Sequence, residues 1–448
     1  MIDLVFPAPQ LAKLREDLAH RWLESAAILL AVPVERGKGG PRLLLRAMAI
    51  PTEGDYVKRT ATEVELKPEF GLPFERTAAR HGWSLIYVHT HPVQESEPAF
   101  SPMDDRAEAR LAPYARMRSP NAPHVALLLG EERLIARELG TSNPVRVLEV
   151  GAHIEHAYDP VAGDVELEIA HDRQILAFGE IGQRRLARLR VVIVGLGGTG
   201  SVVAQQLAHL GINDFLLIDP QLIDGTNLNR VIGATHDDVD KTLKVDVAAR
   251  VIHTIRPGAR IAKIAQDVLA PGIGLQIAAA DYVFCCTDSH GSRHLLNQIA
   301  YQYLVPTIDM GVSITPDAAL ANLQLWAHVR LLAPGQACLH CTGSLDADQV
   351  RRDLTTEPER RRDPYFNKGV HVAQPAVISL TSLAASVATT MFLSAAAGIP
   401  APARHLTFQA NRGRMAPMDN VPQPTCPYCR KEAVAVGSAI ALPERDDA

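Results

Sequence analysis

The run Val192-Ile193-Val194-Gly195-Leu196-Gly197-Gly198-Thr199-Gly200 carries an apolar, strand-like stretch into a glycine-rich turn. Glycines let a backbone turn tightly and approach an anion, and the free N–H groups of a helix start hold phosphate oxygens. Asp219 ends the next apolar stretch, a place from which an acid reaches a ribose hydroxyl. This much suits a nicotinamide dinucleotide as well as ATP. The residues that follow separate the two. Asn227, Asn229 and Arg230 lie on a loop, Lys244 opens a helix, and Asp288 follows a strand. A triphosphate needs cations such as Arg230 and Lys244, and Asp288 can hold Mg2+. The expectation is an enzyme that uses ATP with Mg2+.

Two further clusters carry metal chemistry. His89-Thr90-His91-Pro92 is followed by Ser101-Pro102-Met103-Asp104. Two imidazoles one residue apart at a strand end converge on one ion, and Asp104 supplies a third ligand. Two His and one carboxylate leave the fourth position of Zn2+ to water, whose pKa falls towards ~7. A nearby Glu would act as general base, and Ser101 could donate to the oxyanion. Four of the six cysteines form two Cys-x-x-Cys pairs, Cys338/Cys341 and Cys426/Cys429, which read as metal before disulfide. Cys285 and Cys286 lie in an apolar run and read as core, and His124 reads as structural.

These residues need elements to position them. In the first 150 residues, Ala26–Val34 and Arg42–Ile50 read as a hairpin about the turn Arg36–Pro41. Glu75–His81 reads as a helix, Ser84–Val88 as a strand ending on His89, and a helix follows Ser101. Val150–His171 reads as an irregular linker. Then strands Arg190–Val194, Asp214–Asp219, Ile261–Ile264, Asp281–Cys286 and one starting at Thr307 alternate with helices Gly198–Gly211, Thr242–Ile255 and Ser292–Tyr303. Such alternation means a mostly parallel sheet with helices on its faces. Asp346–Asn367, with Arg360, Arg361 and Arg362, reads as a charged surface loop. Val370–Ala403 contains no Asp, Glu, Lys or Arg but is rich in Ser, Thr and Ala, which favours a buried helix over a membrane span.

The 448 residues imply two or three domains, and 47% hydrophobic with 21% charged residues is the balance of a globular protein. A net charge of −5 without a basic domain argues against a nucleic-acid surface. The N-terminus lacks a signal-peptide core, so the expected location is cytoplasmic.

Together, Arg173-Gln174-Ile175-Leu176, the glycine turn, Asp219, Asn227-Leu228-Asn229-Arg230, Lys244, Thr287-Asp288 and the cysteine pairs resemble the ThiF/MoeB/HesA family of ubiquitin-activating-like adenylyltransferases. The resemblance implies attack on ATP by the C-terminal carboxylate of a small β-grasp protein ending in Gly-Gly, giving an acyl adenylate and pyrophosphate. It implies phosphate binding by Arg230 and Lys244, positioning by Asn227, a magnesium-linked Asp288 and a structural zinc on the four cysteines. Arg173 would reach the phosphates of the other subunit of a homodimer. Members that pass the modifier on as a thioester use an extra cysteine near the crossover loop; Thr342–Gln374 contains none, which puts a thioester in doubt.

The His-x-His-Pro and Ser-x-x-Asp pattern resembles the JAMM (MPN-type) metalloproteases, which hydrolyse peptide or isopeptide bonds after the C-terminal glycine of ubiquitin-like proteins. Glu24 stands where that family has its Glu, with Glu35 as the fallback; the spacing from His91 to Ser101 suggests a small insertion over Gln94–Pro98.

The combined expectation is an α/β chain: a JAMM/MPN-like domain over 1–150, a linker over 151–170, and a Rossmann-like ThiF-type adenylation domain over 171–448, with Gly195, Gly197, Gly198 and Gly200 as its phosphate cradle. It would adenylate a ubiquitin-like protein and hydrolyse after its terminal glycine, with a conjugating enzyme as a candidate further partner. The alternative is sulfur-carrier activation with release of an amino-acid adduct. A non-enzymatic scaffold is the third reading, disfavoured by the full set of polar site residues.

Overall fold

The computed structural model describes the chain except residues 21, 37–38, 92–96, 162, 164, 316–323, 357, 360–374, 400–402 and 447–448. It divides into two units: Met1–Val161 with Gln302–Leu304 and Glu432–Ile440, and Ala162–Tyr301 with Val305–Lys431 and Ala441–Ala448.

The first unit is built on an eight-stranded sheet in the order Ile154–Tyr158, Arg146–Val150, Asp3–Pro7, Arg42–Ala49, Ala26–Val34, Ser84–Thr90, Val125–Leu129, Leu134–Glu138. Side chains alternate across a strand. Ala27, Leu29 and Ala31 therefore join Leu4, Phe6 and the helix residues Leu11, Leu14 and Leu18 in one core. Ile28 and Leu30 join Ala78, Ala112 and Ala115, from helices Pro68–His81 and Pro102–Arg118, in the other. Burial on both faces explains the continuous apolar run of Ala26–Val34.

The expected hairpin is present, with Val34 opposite Arg42. Four readings change. The helix expected over Glu75–His81 begins at Pro68, where proline suits the first turn. The strand expected to end on His89 runs to Thr90 because it pairs with both neighbours. The expected linker contains the strand Ile154–Tyr158, which pairs antiparallel with Arg146–Val150 and satisfies the sheet edge. A two-stranded ribbon, Tyr56–Arg59 and Val64–Leu66, was not foreseen.

The second unit holds another eight-stranded sheet, ordered Arg260–Ile264, Asp214–Ile218, Arg190–Val194, Tyr282–Cys285, Thr307–Thr315, Gln324–Leu332, His405–Gln409, Arg414–Pro417. The first five strands are parallel, as expected, and the last three add an antiparallel extension. Arg190–Val194 lies between its parallel neighbours, so the turn that leaves it opens at the carboxyl edge of the sheet, where ligands of open α/β sheets bind. Part of the expected charged loop is a helix, Ala347–Leu354, capped by Asp346; Arg360, Arg361 and Arg362 lie outside the described residues. The helix Ile378–Ala397 is long and apolar enough to cross a membrane. Its Phe392 ring instead packs edge-on against Tyr282 and Phe284 at 4.9 and 5.5 Å.

Candidate functional sites

The glycines of the turn divide by role. Gly195 has φ +86°, and a Cβ there would lie 2.8 Å from the Cys286 carbonyl oxygen. A Cβ on Gly200 would lie 1.9 Å from the Gly195 oxygen, so helix Gly198–His209 can meet the strand only through glycine. In front of Gly197 the space is open, which leaves its backbone accessible to an anion. Asp219, buried, accepts hydrogen bonds from Leu196 N at 2.8 Å and Gln221 N at 2.9 Å, so it also shapes the turn.

The cations gather beside this cradle. A Cβ on Gly198 would meet the Arg230 stem at 3.2 Å. Arg230 donates to the Thr226 carbonyl and to Asn229 Oδ1. Asn227, buried, closes a capping box with Asp224, which fixes the short turn Gly225–Asn227 leading to Arg230. Lys244 begins helix Lys244–Ile255, and its ammonium donates to Gln221 Oε1 at 2.6 Å. Asp288 is exposed on the loop after Tyr282–Cys285. Arg173, exposed near the start of helix Asp172–Arg188, has no hydrogen-bond or ion-pair partner among the described residues.

The four cysteines converge: Cys338 and Cys341 Sγ are 3.6 Å apart, Cys338 and Cys426 3.5 Å, Cys341 and Cys429 3.4 Å. Tetrahedral zinc with Zn–S of about 2.3 Å sets sulfurs ~3.8 Å apart, so the set fits a structural zinc with no open position. Gln423 N and Cys341 N point at thiol sulfurs, as they would at thiolates. Burial raises both of the other thiols above the ordinary cysteine value. Cys285 is buried, and burial pushes the Cys286 thiol up to about 12.

In the first unit, ligand atoms of His89, His91 and Asp104 all lie within 4.8 Å of one another. His89 Nε2 is 3.1 Å from Asp104 Oδ1, yet it is buried without a well-formed hydrogen bond, and the chemistry of this donor set fits a cation. Local sequence sets Asp104: Ser101 caps helix Pro102–Arg118, its N–H donating to Asp104 Oδ2 at 2.6 Å while its Oγ accepts from Asp104 N at 3.2 Å. Burial would raise the Asp104 carboxyl, but His89 and Ser101 hold it well below the usual range. Glu24 Oε1 lies 3.8 Å from His91 Nε2. Burial, opposed by His89, raises the Glu24 carboxyl to about 7; a bound cation would favour its ionised form. The expected insertion over Gln94–Pro98 lies mostly outside the described residues.

The second unit decides the family. Its sequence matches the model of the ThiF family over residues 171–428. The chain belongs to the ThiF family. A SAMP-activating enzyme E1 from Haloferax volcanii is 30% identical over 130 residues, 29% of this chain and 48% of that one. The sulfur carrier protein ThiS adenylyltransferase of Escherichia coli is 30% identical over 127 residues, 28% of this chain and 50% of that one. The chain thus spans about half the length of either relative. A heterocyst HesA protein of Trichormus variabilis is 26% identical over 60% of this chain and 90% of its own. Among solved structures, E. coli MccB with ATP aligns at 19% identity and TM-score 0.47, covering 59% of this chain and 75% of that one.

Three residues of this ThiF-family chain escaped the sequence reading. Asp309 is wholly buried, with Arg293 Nε at 3.4 Å, His328 Nε2 at 3.5 Å and Arg330 Nε at 3.1 Å. Burial would raise its carboxyl; these groups hold it well below the usual range. Arg293 donates to the Thr287 oxygen, one residue before Asp288. Arg59, on the unforeseen ribbon, donates to the Glu24 oxygen at 3.0 Å and to Ser25 Oγ at 2.6 Å, while Glu24 N donates to Thr60 O at 2.8 Å. No spacing rule links a charged residue on a ribbon or helix to a carbonyl met only in the fold.

Proposed function

We propose that this ThiF-family chain acts twice on the C-terminal glycine of a ubiquitin-like β-grasp protein. It adenylates the tail with ATP, and it hydrolyses the bond after that glycine to process a precursor or remove a modifier. The observation that carries the adenylation half is the open backbone at Gly197 with the Arg230 stem against Gly198 beside it.

In adenylation the tail carboxylate is already a nucleophile, so alignment and charge neutralisation carry the rate. Arg230 and Lys244 neutralise the triphosphate, Asp288 would hold Mg2+, and Asp219 binds the ribose. Arg173, without a partner among the described residues, serves the second site of a homodimer. In hydrolysis His89, His91 and Asp104 would hold Zn2+, which would supply an acidified water and Lewis acidity toward the scissile carbonyl. Glu24 accepts the proton of the attacking water and passes it to the leaving amine. Ser101 uses its hydroxyl proton on the carbonyl oxygen, since its N-cap role engages only the oxygen lone pair.

Sulfur-carrier activation is the second reading. Thr342–Gln374 has no cysteine and Cys285 and Cys286 have suppressed thiols, which favours an acceptor such as sulfide over a thioester on this chain. The Escherichia coli relative is named for the sulfur carrier ThiS. The product distinguishes them: with ATP and a Gly-Gly-ended β-grasp protein, transfer to lysine amines of an added acceptor protein with release of AMP marks the first reading, and a thiocarboxylate, given a sulfide donor, marks the second.

A further inference from the structure

Asp288 is exposed, and an acid on an exposed loop is a poor device for holding an ion at a fixed place. Its two flanks, however, are tied to distant parts of the second unit. On one side Arg293 Nε donates to Thr287 O at 3.1 Å, and its Nη2 donates to Met310 O at 3.3 Å. One guanidinium thus bridges the Asp288 loop to strand Thr307–Thr315. Buried Asp309, 3.4 Å away, supplies the charge that keeps the guanidinium turned inward. On the other side Asp353, from helix Ala347–Leu354, accepts from Ser289 Oγ at 2.9 Å and from Gly291 N at 2.8 Å. Below, Gly195 lies against Cys286 O and Thr287 N at separations that exclude any side chain.

We infer that Arg293 and Asp353 are positioning residues of adenylation, two clamps that set Asp288 against the phosphate cradle. The inference rests on the reading of Asp288 as the magnesium-linked acid. The chemistry explains the residue types. Only a planar guanidinium reaches two carbonyls in fixed geometry, so lysine keeps the charge facing Asp309 but loses the bridge. Asparagine at 353 keeps an acceptor oxygen for the Ser289 and Gly291 donors; alanine does not. Asp353 also lies within the segment after Cys341 and so links that segment to the loop carrying Asp288.

The test compares wild type with Arg293→Lys, Asp353→Ala and Asp353→Asn. Calorimetry gives ATP affinity with and without Mg2+, AMP serves as the probe without the outer phosphates, and thermal melting reports the fold. Arg293→Lys and Asp353→Ala are expected to melt near wild type, bind AMP normally and lose the Mg2+-dependent gain in ATP affinity. In pyrophosphate exchange their kcat should fall ~10- to 100-fold, the scale of a small displacement of a reacting group, with Asp353→Asn recovering most of it. If both variants keep the wild-type Mg2+ gain and rate, the clamps are overturned and the reading of Asp288 stands. If the wild-type chain itself gains nothing from Mg2+, that reading fails and the clamps fall with it.

Discussion

A β-carbon on Gly200 would lie 1.9 Å from the carbonyl oxygen of Gly195. The obstacle is backbone, so no rotamer change relieves it. Gly200→Ala should therefore separate helix Gly198–His209 from its strand at the point where phosphate is to be held. Expected are a lower melting temperature, consistent with overpacking at ~1–3 kcal/mol, and ATP affinity reduced at least tenfold by calorimetry. Unchanged ATP affinity would remove this turn from the site.

Lys244 opens its helix beside Gln221, with most of its side chain shielded from water. Lys244→Met keeps the stem and removes the charge. Pyrophosphate exchange should fall ~100- to 1,000-fold, the cost of deleting one electrostatic donor, with little change in melting. Asp288→Ala should abolish exchange; wild-type exchange in that variant would sink its assignment.

Metal analysis of the purified chain should find two zinc ions. His89→Ala should lose one and keep a cooperative melt of the ThiF half. Cys338→Ser should lose the other and destabilise that half, because thiolate zinc contributes directly to folding. A His89→Ala chain retaining both ions would refute the catalytic site.

Arg59 holds the backbone of Glu24 from the ribbon Tyr56–Arg59. Arg59→Ala should lower hydrolysis of an extended partner ~10-fold, the order expected when a general base loses its orientation, and leave zinc content unchanged. Loss of zinc in this variant would mean that Arg59 supports the ligands instead.

Legibility in the sequence followed the range of each physical signal. The parallel strands and their helices were readable because periodicity is local, and Gly195–Gly200 because its glycines meet strict steric demands. Ser101 and Asp104 were readable as a pair because the Ser-x-x-Asp spacing is local; the structure adds the capping box that joins them. Asp3–Pro7 was not, since its pairing with residues near 42 and 146 is entirely non-local. The antiparallel strands His405–Gln409 and Arg414–Pro417 bury no side chain fully and so carry weak alternation. Nothing local in the sequence marks Arg59, Arg293 and Asp353, because the carbonyls, the N–H group and the two hydroxyls they bond are brought near only by folding.

The central claim is that both halves act on one tail. Pyrophosphate exchange should be measured with a β-grasp protein ending in Gly-Gly, with and without a C-terminal extension, using the wild-type chain and His89→Ala. The account predicts that wild type exchanges with both forms, after a lag for the extended one, and that His89→Ala exchanges with the mature form alone. Equal exchange of the extended form by wild type and His89→Ala would contradict it.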